Sequence, residues 1–184
     1  MTATVLEDRS QALAVAGGLS VATVAVAVVV RIGWATEARR LLGFSFTGVP
    51  AQLDTAVSIF AGNARLLAAV FGAILVAQSP WLAGRDARRG PAMSALTAGV
   101  DTVLALAVAV NVALVGGALG AYGQRMAVAM LPHGPLELAA YALALAVYLQ
   151  ARRGPLVVRR VFAVDAVSMG GLALAALLET FVVP

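Results

Sequence analysis

The sequence contains no cysteine and no lysine, and it has few charged residues of either sign. The absence of cysteine excludes disulfides, thiolate catalysis, iron–sulfur clusters and cysteine-based zinc sites. Charged residues make up 12% of the 184 residues, against about 25% in an average soluble domain. Hydrophobic residues make up 61%, and the mean hydropathy is +0.94. These few polar groups could not cover the surface of a water-soluble globule. The composition therefore excludes a soluble enzyme and a disordered binder, and it indicates a membrane protein.

The positive charges of the chain are all arginines, thirteen of them against nine acidic residues, which gives a net charge of +4. They stand in short clusters between long apolar runs. That distribution is typical of topology signals in the loops of a membrane protein, and not of a basic nucleic-acid surface. We therefore expect no nucleic-acid partner, whereas membrane lipid is a necessary one.

Five apolar runs are long enough to cross a membrane as helices, since a span needs about 20 mostly apolar residues. The first follows an N-terminus with Glu7, Asp8 and only one arginine, so it does not resemble a signal peptide and predicts a retained helix. No internal repeat or linker divides the chain. We predict an all-α polytopic transmembrane bundle, one membrane domain over 1–184, with spans at about 11–32, 60–82, 93–121, 133–150 and 161–183.

Two segments between the spans do not cross the membrane in this prediction. Residues 33–59 contain the apolar stretch 41–46 and a helix-like stretch 51–60 led by Pro50. Their Phe and Leu content with few charges predicts a short interfacial helix, or a cap on the bundle, between spans one and two. Residues 122–131 predict either an interfacial segment or an extension of the third span.

The arginines predict the orientation, because cytoplasmic loops are enriched in them. With a cytoplasmic N-terminus, the inner side holds eight: Arg9, Arg85, Arg88, Arg89, Arg152, Arg153, Arg159 and Arg160. The outer side then holds Arg31, Arg39, Arg40 and Arg125, with Arg65 in the outer turn of span two. We expect a multi-pass protein of the cell membrane with its N-terminus inside and its C-terminus outside.

Polar residues of three separate segments fall at the outer leaflet in this topology. They form a predicted outer polar cluster of Asn63, Arg65, His133, Glu137 and Glu179. Glu179 lies in the last turn of its helix, where the macrodipole disfavours an anion, so it requires a cation or a donor such as Arg65 or His133. The alternative is a glutamate that extends to the outer surface. Ionisable residues within spans are costly and usually face a partner or a cavity.

The segment 131–137 around His133 and Glu137 allows two interpretations. If the fourth helix starts at Pro132, the two side chains are one turn apart on one face, a spacing that can hold a metal or pass a proton. If it starts at Pro135, proline occupies its favoured first position and Glu137 satisfies free N–H groups of the first turn. We expect no cofactor and no metal; a metal, if any, would use His133, Glu137 and Glu179.

Three further polar residues lie within predicted spans. Asp101 and Asp165 lie near the cytoplasmic side, where ion pairs are expected with Arg88, Arg89, Arg159 or Arg160. Asn111 lies near the middle of span three and predicts an interhelical hydrogen bond. The small-residue surfaces at 116–120 and 170–171 predict close helix packing inside the chain, and they also allow a homodimer.

Three segments give the chain a resemblance to the stage II sporulation protein M family of integral membrane proteins. Residues 131–138, read Leu-Pro-His-Gly-Pro-Leu-Glu-Leu, resemble the family's Pro-His-Gly-x-x-Glu motif at the head of a helix. Residues 175–181, followed by Pro184, resemble its C-terminal alanine-rich helix with a glutamate. Residues 60–68, with Asn63 and Arg65, resemble the segment that opens its second span.

The resemblance implies a multi-helix membrane protein that works with other proteins of the cell envelope. The best-known members of that family act with a peptidoglycan hydrolase and another membrane protein during forespore engulfment in sporulation. We therefore expect a non-enzymatic membrane subunit that scaffolds or anchors a peptidoglycan-remodelling complex. The alternatives are a transporter or permease component with an intramembrane polar path, and, with less support, an intramembrane metalloenzyme.

Overall fold

The computed structural model describes residues 2–44, 46, 50–82 and 90–182. The predicted inner arginines Arg85, Arg88 and Arg89, and the C-terminal Pro184, lie outside the described residues. The described residues form seven α-helices and no strand: α1 Thr2–Gly33, α2 Ala35–Leu42, α3 Leu53–Leu82, α4 Pro91–Tyr122, α5 Gln124–Met130, α6 Gly134–Arg153 and α7 Val158–Phe181.

Five of these helices, α1, α3, α4, α6 and α7, are long and apolar enough to cross a membrane. Their Ala, Leu and Val side chains cover all sides of each helix, which is typical of helices surrounded by lipid and by other helices. The predicted all-α bundle of five spans is confirmed. At about 1.5 Å per residue, the 32 residues of α4 give a rod of about 48 Å, longer than the hydrocarbon core alone requires.

The short helix between spans one and two is α2, which lies earlier in the connection than the helix-like stretch 51–60. It is amphipathic, carries Glu37, Arg39 and Arg40, and ends at Gly43, whose φ of 59° only glycine adopts readily. The stretch 51–60 instead joins α3, which begins at Leu53 and not at residue 60. Nothing between Leu53 and Ser79 interrupts the helical backbone, because that stretch contains no proline.

Residues 122–131 are not an extension of the third span. Gly123 has a φ of 62° and ends α4, and its N–H donates to the carbonyl of Leu119. The chain then forms the separate short helix α5. A residue with a Cβ would be strained at that φ, so the glycine fixes the position of the turn.

The glycines of α4 allow α1 to approach it closely. A Cβ at Gly116 would lie 2.7 Å from the carbonyl oxygen of Thr23, and one at Gly120 would lie 2.5 Å from that of Ala27. Any larger side chain would therefore push α1 away from α4. This small-residue surface serves packing inside the chain.

The core lies between α3, α6 and α7, with α4 packed on α3 and with α1 packed on α4 and α6. Its fully buried side chains include Leu67, Val70, Ile74, Ala144 and Leu172. Because consecutive spans alternate in direction, the ends of the bundle collect different helix termini. We call the end with Asn63, His133, Glu137 and Glu179 the His133 end, and the end with Gln78, Asp101, Tyr148 and Arg152 the Asp101 end.

Candidate functional site

A cavity of about 630 Å³ opens at the His133 end of the bundle. Four of the five predicted cluster residues line it, namely Asn63 from α3, His133 and Glu137 at the start of α6, and Glu179 from the last turn of α7. The remaining wall is mostly apolar and includes Leu42, Phe44, Phe46, Leu114, Ala118, Met126 and Met130. The structure therefore brings polar groups from three spans together around one space.

Glu137 connects α6 to α3. The side-chain Nδ2 of Asn63 donates a hydrogen bond of 2.5 Å to Glu137 Oε1. The hydroxyl of Tyr141, one turn further along α6, donates to the backbone oxygen of Asn63 over 3.0 Å. Two bonds from neighbouring turns of α6 thus hold the same point of α3, and they fix the depth at which the two helices pack.

The start of α6 decides between the two interpretations of residues 131–137. The helix begins at Gly134, with Pro135 in its first turn and His133 at the N-cap position. The carbonyl of His133 accepts the N–H groups of Leu136 and Glu137, at 3.0 and 3.2 Å. The start is thus within one residue of the Pro135 interpretation. The carboxylate, however, takes a side-chain donor from another helix.

His133 is the most deeply buried ionisable side chain of the cavity, with only 8% of its surface exposed. Its Nδ1 atom has no hydrogen-bond partner among the described residues. Burial lowers the pKa of this imidazole below its ordinary value, and the negative charge of Glu179 offsets part of that effect. The imidazole is therefore neutral at pH 7, and its unpaired Nδ1 is buried next to a partly polar cavity.

Glu179 is half-buried, and its carboxylate makes no hydrogen bond or ion pair within the described part of the chain. The predicted partner Arg65 does not reach it. Residues two apart on a helix point to nearly opposite sides, so the inward position of Asn63 turns Arg65 outward. Arg65 is exposed and does not line the cavity. The predicted pairing of Arg65 with Glu179 is therefore wrong.

The three candidate metal ligands share the cavity but do not form a ligand set. Within the ranges that the structure describes, no group of three or more His, Asp or Glu side chains is placed to hold a metal ion. The charge of Glu179 nevertheless acts on both His133 and Glu137, and all three residues line the same cavity.

A second, smaller cavity of about 180 Å³ lies deeper, between α1, α3, α4 and α6. Its polar lining groups are Thr23, Asn63, Asn111, Glu137 and Tyr141. Asn63 and Glu137 line both cavities, so their hydrogen bond stands between the two. The Nδ2 of Asn111 donates to the carbonyl of Ala107 in its own helix over 2.9 Å. The predicted interhelical bond is therefore not formed.

At the Asp101 end, the carboxylate of Asp101 has partners. Asp101 of α4 forms an ion pair of 2.8 Å with Arg152 of α6, and it also accepts a hydrogen bond from the hydroxyl of Tyr148. Within the described residues the ion pair of this aspartate is with Arg152, and the expected partners Arg88 and Arg89 lie outside the described residues. Asp165 has no ion pair within the described residues.

Gln78 fastens the Asp101 end in a way that the sequence analysis missed. Its Nε2 donates to the carbonyls of Ala151 and Gly154, at 3.0 and 3.1 Å. Its Oε1 accepts the N–H of Leu156 over 2.8 Å. One side chain of α3 thereby satisfies three backbone groups where α6 ends and the chain turns toward α7. A lone amide near the end of an apolar span is the signal that could have identified it.

The role of Tyr122 was likewise not predicted from the sequence. Tyr122 holds the connection after α2, since its hydroxyl accepts the N–H of Phe44 over 3.0 Å and its ring packs edge-on against Phe44 and Phe46. Arg39 adds a bond from Nε to the carbonyl of Ala121 over 2.7 Å. These contacts position the phenylalanines that line the large cavity. Tyrosine suits such a position between apolar and polar surroundings, because its ring is apolar and its hydroxyl is polar.

Comparison with known proteins adds no relative. The chain matches no protein-family model, no curated protein and no solved structure.

Proposed function

We propose that the chain is a non-enzymatic integral membrane subunit that anchors partner proteins in a complex of the cell envelope. The resemblance of 60–68, 131–138 and 175–184 to the stage II sporulation protein M family suggests this role. In that role the partners would be peptidoglycan-remodelling proteins, and the His133 end would face outward.

Internal polar contacts support a structural role for most of the polar side chains. Asn63 with Glu137, Gln78 with the turn after α6, and Asp101 with Arg152 each join helices that are distant in sequence. Polar bonds between helices define helix register and depth, which a scaffold requires.

The observation that carries the proposal is the outward position of Arg65. Its side chain is exposed on the face of a spanning helix, and no acidic group pairs with it in the described part of the chain. A cation at the centre of a spanning helix costs about 2.5–3.5 kcal/mol on insertion scales, and a cation nearer the membrane surface, where the predicted topology places Arg65, costs less. A carboxylate of a partner helix would offset that cost, so we assign Arg65 to the docking surface.

The test is affinity purification of the tagged full-length protein from its native membrane. We expect Arg65→Gln to lose the partner while the thermal unfolding temperature in detergent stays within about 2 °C of the wild type, because surface substitutions change stability little. The control is Arg40→Gln, which neutralises an exposed arginine of α2. Equal recovery of the partner with Arg65→Gln and with wild type would contradict the proposal.

A transport component is the second candidate, and the smaller cavity favours it. Its polar side chains Thr23, Asn63 and Glu137 lie inside the bundle, where such groups often mark ion or proton paths. Below them, Leu145, Val108 and Val70 form an apolar lining before the Asp101 end is reached. Proton uptake into proteoliposomes that is lost in Glu137→Gln would favour this candidate over the anchor.

A further inference from the structure

The large cavity at the His133 end carries negative charge without a matching cation. Glu137 and Glu179 both line it, and its described lining contains no arginine. Glu137 has one oxygen engaged by Asn63, and Glu179 makes no bond within the described residues. Carboxylates are costly in such a partly apolar space unless a cation or several donors reach them. The cavity therefore suits a positively charged ligand.

An independent observation at the same cavity is the unpaired nitrogen of His133. The side chain is more than nine-tenths buried, with 8% exposed, and its Nδ1 has no partner in the described chain. Buried polar atoms are nearly always hydrogen-bonded, and an exception calls for an explanation such as an absent ligand. A neutral imidazole with its proton on Nε2 presents Nδ1 as an acceptor.

The carboxylates of this cavity match a primary ammonium. That group has three N–H donors and no acceptor, and Glu137 and Glu179 offer carboxylate oxygens to it, with the unpaired Nδ1 of His133 buried beside them. A quaternary ammonium has the same charge but no N–H to donate. The arrangement therefore predicts discrimination between the two kinds of headgroup.

The rest of the wall indicates what the ammonium is attached to. Phe44, Phe46, Leu114, Met126 and Met130 make most of the lining apolar. The volume of about 630 Å³ lies within the range of about 300–1,000 Å³ usual for small-molecule sites. An ammonium on a small polar stem would leave most of this apolar surface uncovered, whereas an acyl chain would cover it.

A cation stands beside the wall as well. The guanidinium of Arg125 lies 4.3 Å from the ring centre of Phe46, and Phe46 lines the cavity. Arg125 does not itself line the cavity, so a phosphate that contacts it would lie beside Phe46, further out than the ammonium. Arginine is well suited to phosphate because its N–H groups match the phosphate oxygens.

We propose that this cavity binds a zwitterionic membrane lipid with a primary ammonium headgroup, of which phosphatidylethanolamine is the simplest. The ammonium contacts Glu137 and Glu179 beside the buried His133, the phosphate lies toward Arg125, and the acyl chains follow the apolar wall. No bond is made or broken, so the site is a binding site for an intact lipid. It is separate from the exposed face that carries Arg65.

The test uses the full-length protein in nanodiscs and native mass spectrometry with lipids of identical acyl chains. We expect phosphatidylethanolamine to be retained at least about tenfold more strongly than phosphatidylcholine, since each hydrogen bond between charged groups contributes about that factor. Phosphatidylglycerol, which has no cation, should bind no better than phosphatidylcholine. This comparison needs no variant.

Variants then locate the site. Glu179→Gln should reduce the preference for phosphatidylethanolamine about tenfold, and Arg125→Gln should reduce retention of both zwitterionic lipids. Glu37→Gln is the matched control, because Glu37 is an exposed carboxylate of α2 and does not line the cavity. We expect it to leave lipid retention unchanged.

Four results would overturn the proposal. The first is equal retention of the three lipids by the wild-type protein. The second is an unchanged preference in Glu179→Gln. The third is binding of free phosphoethanolamine as tightly as the lipid, which would exclude the lipid as the occupant. A crosslink from position 179 to a copurified protein, with no lipid retained, would assign the cavity to a protein side chain and would also reject the lipid.

Discussion

At one end of the bundle Asp101 contacts both Arg152 and Tyr148, whereas at the other end Glu179 has no cation within the described chain. Both carboxylates belong to spanning helices. The first joins α4 to α6 through side-chain bonds, and the second faces a cavity with Glu137 and a buried, unpaired imidazole. The difference separates polar residues that stabilise the bundle from polar residues that remain available to a ligand.

The same chemical substitution should therefore have opposite effects at the two ends. Removing a polar group from the Asp101 end leaves its partners unsatisfied, which lowers stability. Removing a charge from the His133 end relieves repulsion between neighbouring carboxylates. Sites that bind ligands are commonly less stable than the sequence could make them.

The largest effect is expected from Gln78→Leu. The substitution leaves two backbone carbonyls and one backbone N–H at the end of α6 without partners, so we expect a loss of about 2–3 kcal/mol of unfolding free energy. Unfolding in mixed detergent and dodecyl sulfate micelles measures it. Gln52→Leu is the control, since that glutamine is exposed before α3. A loss as small as that of the control would contradict the role given to Gln78.

Asp101→Asn should have the next largest effect. It removes the ion pair with Arg152 and weakens the bond from Tyr148. Because the two charged side chains are 38% and 39% exposed, solvent screening limits the expected loss to about 1 kcal/mol. Asp165→Asn, at a position without an ion pair in the described chain, should be nearly neutral in the same unfolding measurement. Equal losses of stability for Asp101→Asn and Asp165→Asn would contradict the structural role given to the Asp101 ion pair.

Glu179→Gln should stabilise the lipid-free protein. The carboxylate stands at the C-terminal end of α7, where the helix dipole disfavours it, and Glu137 adds repulsion. We expect a gain of about 0.5 kcal/mol in delipidated detergent. A loss of stability of 1 kcal/mol or more would show that Glu179 has a structural partner and would abolish the contrast between the two ends.

The smallest effect is the pH dependence contributed by His133. Burial lowers the pKa of the folded-state imidazole, and Glu179 offsets part of that shift. As the pH falls below about 6.5, the unfolded chain binds a proton before the folded one does, so stability decreases. His133 is the only histidine, and His133→Gln should therefore have a smaller loss between pH 7.5 and 6.0. Because all the carboxylates are the same in both proteins, the difference between the two curves of stability against pH is the relevant quantity.

Much of the fold could be predicted from hydropathy. Apolar runs of about 20 residues form helices in lipid because each backbone group must be satisfied within its own segment. The position of the short helix was predicted wrongly. Pro50 and the phenylalanines favoured a helix at 51–60, whereas the amphipathic residues 35–42 form it. Hydropathy indicates which residues lipid surrounds, but it does not indicate where a helix ends.

The candidate site was predictable in its depth and not in its pairing. Alternating spans placed Asn63, His133, Glu137 and Glu179 at one level, and the structure has them around one cavity. The position of Arg65, however, depends on the rotation of α3, and an apolar helix has no sequence pattern that sets its rotation. The bond of Asn63 to Glu137 sets the rotation of α3, and with that rotation Arg65 lies on the outer face.

The sequence by itself determined that lipid surrounds this chain and that five helices cross it, because composition and run length depend on no contact between segments. Only the tertiary structure decided which polar side chains meet. Helix rotation and the close approach of α1 to Gly116 and Gly120 are set by packing, and a polar side chain finds a partner, or faces an open cavity, only once the helices have packed against one another.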